Sequence, residues 1–226
     1  MNDGIKPAGG VKLPRIFNQL GILVLDGSGS MNEIGQGHAP KAKHVSSAVV
    51  ELFNRLNASR VKQNFSFAYV KFDDEPTTVF EPVAFDFSTL MNEDYDPTSG
   101  KGGTTYICKA LEEANRIADQ FLNNAPVGGV PHKVLILLLS DGMCFEPELS
   151  KNVASQIKQN PSKQIACAYF GEVGSNDSDA QALLKDIATD STTFYTTIYD
   201  GDALRAFFER SISQSSGIKQ TDLQGA

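Results

Sequence analysis

The chain has 226 residues, and its 20 Lys and Arg against 27 Asp and Glu give a formal net charge of −7 at pH 7. This length suits one large domain or two small ones, and a chain of this size buries enough apolar surface to fold without a disulfide or a structural metal. The acidic balance argues against a non-specific binder of nucleic acid or anionic membranes, because both ligands attract clustered Lys and Arg. We therefore expect neither nucleic acid nor membrane among the partners.

Short strand-like segments recur along the chain at intervals that helices can fill. Residues 21–26 and 133–141 are unbroken apolar runs, which predict central strands covered on both faces. Aromatic and β-branched residues predict four further strands at 64–72, 77–85, 164–170 and 192–198. Pro82 places the strand at 77–85 on the edge of the sheet, because proline cannot donate a ladder hydrogen bond.

Apolar residues at helical spacing predict five amphipathic helices between these strands. The first stripe spans residues 45–56, and the others lie at 107–122, 149–157, 180–187 and 204–212. Strands that alternate with helices form a mostly parallel sheet, because helical crossovers join parallel neighbours.

Only residues 73–76 link the second strand to the third, which is too short for a parallel crossover and predicts an antiparallel pair. The expected fold class is therefore α/β: a Rossmann-like, doubly wound, mostly parallel six-stranded sheet with one antiparallel edge strand and helices on both faces. We expect this domain over residues 16–214, with flexible tails at 1–15 and 215–226 that are rich in Gly, Pro, Lys, Ser and Gln.

Cysteine usage and the N-terminus predict a cytoplasmic protein. Cys108, Cys144 and Cys167 are far apart and form no Cys-x-x-Cys pair, which favours reduced thiols. Residues 1–10 contain no apolar segment of a signal peptide. The longest apolar run, residues 134–139, is much shorter than the roughly 20 residues of a membrane-spanning helix.

Polar side chains alternate with glycine directly after the first strand, at Asp26, Ser28 and Ser30. Alternate residues of an extended loop share a face, so these three side chains are expected on one side. One carboxylate and two hydroxyls suit a hard cation such as Mg²⁺. Ligands of an open α/β sheet bind outside the carboxyl ends of its strands, where this loop lies. By itself, however, the segment is more typical of an ordinary Gly/Ser turn.

Two other loops strengthen the metal-site interpretation. Residues 102–105 (Gly-Gly-Thr-Thr) precede the longest predicted helix, and residues 140–142 (Ser-Asp-Gly) follow the most apolar strand. Each segment alone has an ordinary reading, as a helix N-cap or an Asp-Gly turn. Together the three loops bring two carboxylates and three or four hydroxyls to the ends of the central strands. Mg²⁺ accepts such a sparse set of oxygen ligands, because it keeps several waters.

With these three segments, the sequence resembles the von Willebrand factor type A (VWA) domain over roughly residues 15–214. The pattern Asp-x-Ser-x-Ser…Thr…Asp is that family's metal ion-dependent adhesion site (MIDAS). The metal ligands that the resemblance implies are Asp26, Ser28, Ser30, Thr104 and Asp141. The three hydroxyls would bind the metal directly, and the two carboxylates directly or through water. Thr105 is an alternative to Thr104, and Gly27 stands where bacterial members often carry Thr.

What the resemblance implies is recognition rather than catalysis. In that family the metal, expected here to be Mg²⁺ with Mn²⁺ and Ca²⁺ as alternatives, accepts an Asp or Glu from a partner protein. The implied function is a metal-dependent protein–protein interaction module and not an enzyme. By general similarity the sequence resembles bacterial, cytoplasmic members of the family that belong to tellurite-resistance and kinase–phosphatase stress systems. A VWA adaptor of a MoxR-type ATPase is the alternative.

Two other classes of function fit less well. A phosphoryl-transfer enzyme of the haloacid dehalogenase type would use Asp26 as nucleophile, but it needs a second Asp where Ser28 stands. In addition, none of the three histidines, His38, His44 and His132, has a catalytic spacing to Asp26. A dinucleotide-binding loop would need a third glycine where Asn32 stands, and Asp26 would repel a pyrophosphate.

Three features near these loops have ordinary explanations. The acidic residues 73–75 are expected to be solvated charges of a turn, and the acidic residues within 93–96 solvated charges of a loop. Phe145 is expected to be buried, with an exposed partner contact as the alternative.

Overall fold

The computed structural model describes residues 17–35, 38–125, 129–172 and 177–224, in which strands and helices alternate. The strands are β1 (Asn18–Asp26), β2 (Phe65–Phe72), β3 (Pro76–Ala84), β4 (His132–Ser140), β5 (Lys163–Phe170) and β6 (Tyr195–Ile198). The helices are α1 (Lys41–Ala58), α2 (Phe87–Leu90), α3 (Ile107–Asn123), α4 (Pro147–Lys158), α5 (Ser178–Ile187), α6 (Gly201–Ser216) and α7 (Gln220–Gln224).

The six strands form one sheet in the order β3-β2-β1-β4-β5-β6. All neighbouring strands are parallel except β2 and β3, which are antiparallel. Helix α3 packs against α4, which packs against α5, while α1 packs against α6 and α7 in a separate layer. The predicted fold class, including the antiparallel edge strand with its proline, is therefore confirmed.

The central strands β1 and β4 form the core of the sheet. Every residue of β1 is buried, as is every residue of β4 except Lys133. Strand β1 begins at Asn18, three residues before the predicted apolar run, because Asn18 and Gln19 pair with the start of β4. From β1 the chain moves outward to β2 on one side, and β4 begins on the other side. The carboxyl ends of β1 and β4 therefore meet where the strand order reverses, which is the usual ligand position in such sheets.

The C-terminal segment differs from the flexible tail expected over residues 215–226. Helix α6 continues to Ser216 and ends at Gly217, whose φ of 76° gives the left-handed cap that glycine favours. In α7, Leu223 is almost fully buried, and the Asp222 carbonyl accepts a 2.6 Å hydrogen bond from the Ser59 hydroxyl. Helix α7 has only five residues and one buried apolar residue, so its sequence shows no apolar spacing from which a helix could be predicted. The predicted N-terminal tail, residues 1–15, lies outside the described residues.

Two further expectations can be compared with the structure. All three cysteines are free thiols, with Cys108 and Cys167 buried and Cys144 half-buried. No helix within the described ranges has both the length and the apolar character needed to cross a membrane.

Candidate metal centre

Asp26 is the last residue of β1, and its side chain is completely buried. One carboxylate oxygen accepts a 2.8 Å hydrogen bond from the backbone N–H of Ser28, and the other accepts a 2.6 Å hydrogen bond from the Ser140 hydroxyl. Burial raises the pKa of Asp26 from 3.8 to about 6; the hydrogen bond from Ser140 opposes this rise and the nearby charge of Asp141 adds to it. The sheet thus holds a carboxylate whose negative charge is poorly solvated, which favours a bound cation.

A row of oxygen atoms connects the loop after β1 to the loop after β4. The Ser28 and Ser30 hydroxyl oxygens are 3.1 Å apart, and the Ser30 hydroxyl donates a 2.7 Å hydrogen bond to Oδ1 of Asp141. Mg²⁺ binds oxygens at about 2.0–2.1 Å in an octahedron, which sets neighbouring ligand oxygens about 3 Å apart. These three oxygens therefore have the spacing and the chemistry of neighbouring Mg²⁺ ligands.

Of the two adjacent threonines, the structure brings Thr105 to this row rather than Thr104. Thr104 is exposed, and both its hydroxyl and its backbone N–H donate to the carboxylate of Asp74. Thr105 is 6% exposed, and a Cβ placed on Gly142 would lie 3.9 Å from the Thr105 hydroxyl and 3.7 Å from that of Ser30. Both hydroxyls thus lie within 4 Å of one point at Gly142, in the loop that carries Asp141. Two adjacent hydroxyls in a loop cannot be distinguished by spacing alone.

The acidic turn between β2 and β3 anchors the loop that carries Thr105. One carboxylate oxygen of Asp73 accepts hydrogen bonds from the backbone N–H groups of Gly102 and Gly103, at 3.1 and 3.2 Å. The carboxylate of Asp74 accepts a 2.8 Å hydrogen bond from the backbone N–H of Thr104, the residue after Gly103. The expected exposure holds for Asp74, but both carboxylates also bind this loop, which the expectation did not include. The contacts span about 30 residues, so the local sequence could not indicate them.

Gly27 is required by a close approach of the backbone. A Cβ at this position would collide with the carbonyl oxygen of Pro97 in the loop before Gly102. The N–H of Gly27 donates a 2.7 Å hydrogen bond to the carbonyl of Phe72 at the end of β2, which fixes the position of this loop. A threonine at this position would displace the loop at Pro97.

Lys41, the first residue of α1, lies next to Asp141 and was not among the residues that the sequence indicated. Its side chain is 5% exposed, and its Nζ is 2.8 Å from Oδ2 of Asp141, 2.9 Å from Oε1 of Glu172 and 3.5 Å from Oε2 of Glu33. Burial alone lowers the pKa of Lys41, but the hydrogen bonds to Asp141 and Glu172 outweigh it and raise the pKa to about 12. A lysine that opens an amphipathic helix usually faces solvent, so the pattern carries no signal of this role.

Large apolar side chains are exposed around the same edge of the sheet. Ile34 follows β1 and is 67% exposed, while Met143 and Phe145 follow β4 and are 70% and 67% exposed. The Phe145 ring stacks on Tyr106, which precedes α3, with the ring centroids 5.4 Å apart. The expectation of a buried Phe145 is therefore wrong, and the alternative of an exposed side chain is what the structure shows.

The candidate centre is built mainly from hydroxyl groups. Among the residues that the structure describes, no group of three or more His, Cys, Asp or Glu side chains could hold a metal ion. Asp26 and Asp141 are the carboxylates of the candidate centre, and its other candidate ligands are serine and threonine oxygens. Such a donor set fits a hard divalent cation that keeps some of its waters.

In a comparison with protein families, the model of the von Willebrand factor type A domain matches residues 22–210. The comparison with curated proteins gave no match.

Several solved structures share this fold at low sequence identity. The pilus adhesin SpaC from Lactobacillus rhamnosus GG aligns with a TM-score of 0.69 and 13% identity, over 89% of this chain and 30% of that chain. The vWF domain of the type V pili tip protein Mfa5 from Porphyromonas gingivalis aligns with a TM-score of 0.68 and 14% identity, over 90% of this chain and 97% of that chain. Proximal thread matrix protein 1 from the mussel byssus, with a zinc-occupied MIDAS motif, aligns with a TM-score of 0.60 and 19% identity, over 88% of this chain and 46% of that chain. The chain thus spans less than half of SpaC and of the mussel protein.

The sheet order and the polar loops at the ends of β1 and β4 define an open, Rossmann-like α/β domain with a candidate ligand site at its switch point. Because the family model matches most of its length, the chain belongs to the von Willebrand factor type A domain family.

Proposed function

We propose that this protein is a metal-dependent protein–protein interaction module that holds a divalent cation at the carboxyl ends of β1 and β4. The expected cation is Mg²⁺. The residues that would hold the ion are Asp26, Ser28, Ser30, Thr105 and Asp141. The ion, when bound, supplies a positive charge that an acidic side chain of a partner protein recognises. The chain's own part is to orient the hydroxyls, to bury Asp26 and to present an apolar rim to the partner.

The observation that carries this proposal is the row formed by Ser28 Oγ, Ser30 Oγ and Asp141 Oδ1, with separations of 3.1 and 2.7 Å. Hydroxyl ligands are neutral, so they leave more of the charge of the cation available to an incoming carboxylate. The zinc-occupied MIDAS motif of the mussel byssus protein supports a divalent ion in a domain of this fold.

The exposed apolar residues support a protein partner. Ile34, Met143 and Phe145 are each about two-thirds exposed, and all three lie on loops next to the proposed ligands. Exposed apolar groups that surround a polar centre are typical of interaction surfaces, where they exclude water from the polar contact. We therefore expect the partner to present an Asp or Glu beside apolar side chains.

The residues around Asp26 support binding rather than phosphoryl transfer. One oxygen of Asp26 accepts a hydrogen bond from the backbone N–H of Ser28, and the other accepts one from the Ser140 hydroxyl. The two bonds hold the carboxylate in place. His132 lies at the start of β4, the opposite end from Ser140, and its Nδ1 is 2.9 Å from the carbonyl oxygen of Phe121. A role in a bacterial, cytoplasmic stress-response or kinase–phosphatase system, and the alternative of a MoxR-type ATPase adaptor, remain proposals from the family resemblance.

The test measures metal binding and partner binding separately. Mg²⁺ and Mn²⁺ are titrated into the wild type, into Ser30→Ala, and into the control Ser88→Ala, which changes an exposed serine at the other end of the sheet. We expect binding by wild type and control and at least about tenfold weaker binding by Ser30→Ala, because one ligand oxygen is lost. Partner capture in Mg²⁺ should disappear in EDTA. Equal metal affinity in all three proteins would contradict the proposed site.

A further inference from the structure

Lys41 occupies a position that is unfavourable for an isolated lysine. It begins α1, where the positive end of the helix dipole repels a cation, and its side chain is 5% exposed. Removing an ammonium group from water costs several kcal/mol unless anions replace the hydration. The position is therefore sustained by the carboxylates around it.

The carboxylates that face Lys41 come from three separate loops of the sheet edge. Glu33 follows β1 at 3.5 Å, Asp141 follows β4 at 2.8 Å, and Glu172 follows β5 at 2.9 Å. Glu33 and Glu172 remain partly exposed, whereas the side chain of Asp141 is fully buried. Lys41 is thus the charge that compensates Asp141 inside the protein, and it is too buried to meet a partner directly.

Asp141 divides its two oxygens between Lys41 and the proposed ligand row. Oδ1 accepts a hydrogen bond from Ser30 at 2.7 Å, and Oδ2 accepts one from Lys41 at 2.8 Å. A divalent ion at the ligand row and the ammonium of Lys41 therefore act on the same carboxylate. Two cations a few ångströms apart repel each other, and the repulsion is strong where little water screens it.

We propose that Lys41 is an internal counter-cation of the metal centre: it keeps Asp141 neutralised and oriented when no metal is bound, and it lowers the affinity of the centre for divalent ions. This inference rests on the proposed metal-binding function and names the residue that tunes it. On this proposal the protein folds without metal, and its metal affinity is lower than that of a centre without the lysine.

The main experiment compares Lys41→Met with Lys163→Met. Lys163 is equally buried, at 5% exposure, and pairs with Asp119 at 2.6 Å, but it begins β5 at the opposite end of the sheet. Titration with Mg²⁺ and Mn²⁺ alone should show affinity about tenfold or more higher in Lys41→Met than in wild type, and unchanged affinity in Lys163→Met. Lys41→Arg keeps the charge and should restore affinity close to that of wild type.

Thermal unfolding gives a second measurement on the same variants. In EDTA, Lys41→Met should unfold at a lower temperature than wild type, because Asp141 is left buried without its cation. Mg²⁺ should raise the unfolding temperature of Lys41→Met more than that of wild type, because the ion then takes over the role of the lysine. If wild type binds metal and Lys41→Met binds it with equal or lower affinity, the role proposed for Lys41 is overturned, whereas the proposed metal-binding function is not.

A measurement on the wild type keeps the proposal testable if Lys41→Met does not fold. The side-chain ¹⁵Nζ resonance of Lys41 should shift on addition of Mg²⁺, while that of Lys163 should stay in place. A Lys41 resonance that stays in place as the protein binds Mg²⁺ would overturn the proposal. If neither wild type nor variant binds a divalent ion, the proposed function fails and the inference fails with it.

Discussion

The Ser140 hydroxyl donates a 2.6 Å hydrogen bond to the buried carboxylate of Asp26 and thereby joins the carboxyl ends of β4 and β1. These two residues are 114 positions apart in the chain and become neighbours only through the parallel pairing of the two strands. The bond fixes Asp26 at the switch point of the sheet. It does not fully compensate the burial of the charge, since the pKa of Asp26 remains raised to about 6.

This raised pKa predicts that Asp26→Asn stabilises the metal-free protein. The folded state holds the Asp26 proton more tightly than the unfolded state, so the stability of wild type in EDTA should fall as the pH rises from about 4 to about 6. The variant lacks this loss. At pH 7.5 in EDTA we expect it to be more stable than wild type by about 1–3 kcal/mol, and about equally stable near pH 4.

Urea unfolding of both proteins at the two pH values measures this difference, and Mg²⁺ titration should show that Asp26→Asn binds metal much more weakly. A difference in stability that does not change between pH 4 and pH 7.5 would contradict the explanation by a buried charge.

The position of the two threonines predicts that their hydroxyls contribute unequally to metal binding. Thr105→Val removes a hydroxyl that lies near Gly142, as that of Ser30 does, at nearly constant volume, so Mg²⁺ affinity should fall at least about tenfold. Thr104→Val removes a hydroxyl that donates to Asp74 and should change the affinity by less than about threefold. Calorimetric titration of both variants decides the matter. A larger loss in Thr104→Val would assign the ligand to Thr104.

The contacts of Asp73 predict that a residue outside the metal centre controls its geometry. Asp73→Ala leaves the N–H groups of Gly102 and Gly103 without their carboxylate and should destabilise the protein by about 1–2 kcal/mol. The loop that carries Thr105 should then be less well ordered and Mg²⁺ affinity lower. Glu93→Ala, at an acidic residue of the neighbouring loop, serves as the control. Unfolding in urea and Mg²⁺ titration measure the two effects, and an unchanged affinity in Asp73→Ala would refute the link.

The exposure of Phe145 predicts a variant that separates partner binding from metal binding. Phe145→Ser loses a ring that is 67% exposed, so the free energy of unfolding should change by less than about 1 kcal/mol and Mg²⁺ affinity should stay the same. Partner binding in Mg²⁺ should weaken, because exposed aromatic residues are frequent anchors at interfaces. A surface-plasmon measurement with the captured partner tests this. Unchanged partner affinity would remove Phe145 from the interface.

Much of the fold could be predicted because the information is local. The apolar runs at 21–26 and 133–141 indicated buried strands, and the short link at 73–76 indicated the antiparallel pair. The loops after β1 and β4 could be placed at one edge because parallel strands end on the same side of a sheet. Helix α7 could not be predicted, since one buried leucine in five residues forms no periodic pattern.

By itself the sequence determined the α/β class and the polar loops at the switch point, because strand composition and loop spacing are properties of neighbouring residues. Four of the five proposed ligands came from the resemblance of these loops to the family's motif. Only the tertiary structure favoured Thr105 over Thr104 as the proposed ligand. It also showed that Asp73 binds the N–H of Gly102, and that Lys41 contacts Asp141, which is 100 positions away in the chain. These contacts depend on how helices and loops are positioned against the sheet. That positioning is set by packing between distant segments, which the spacing of residues along the chain does not specify.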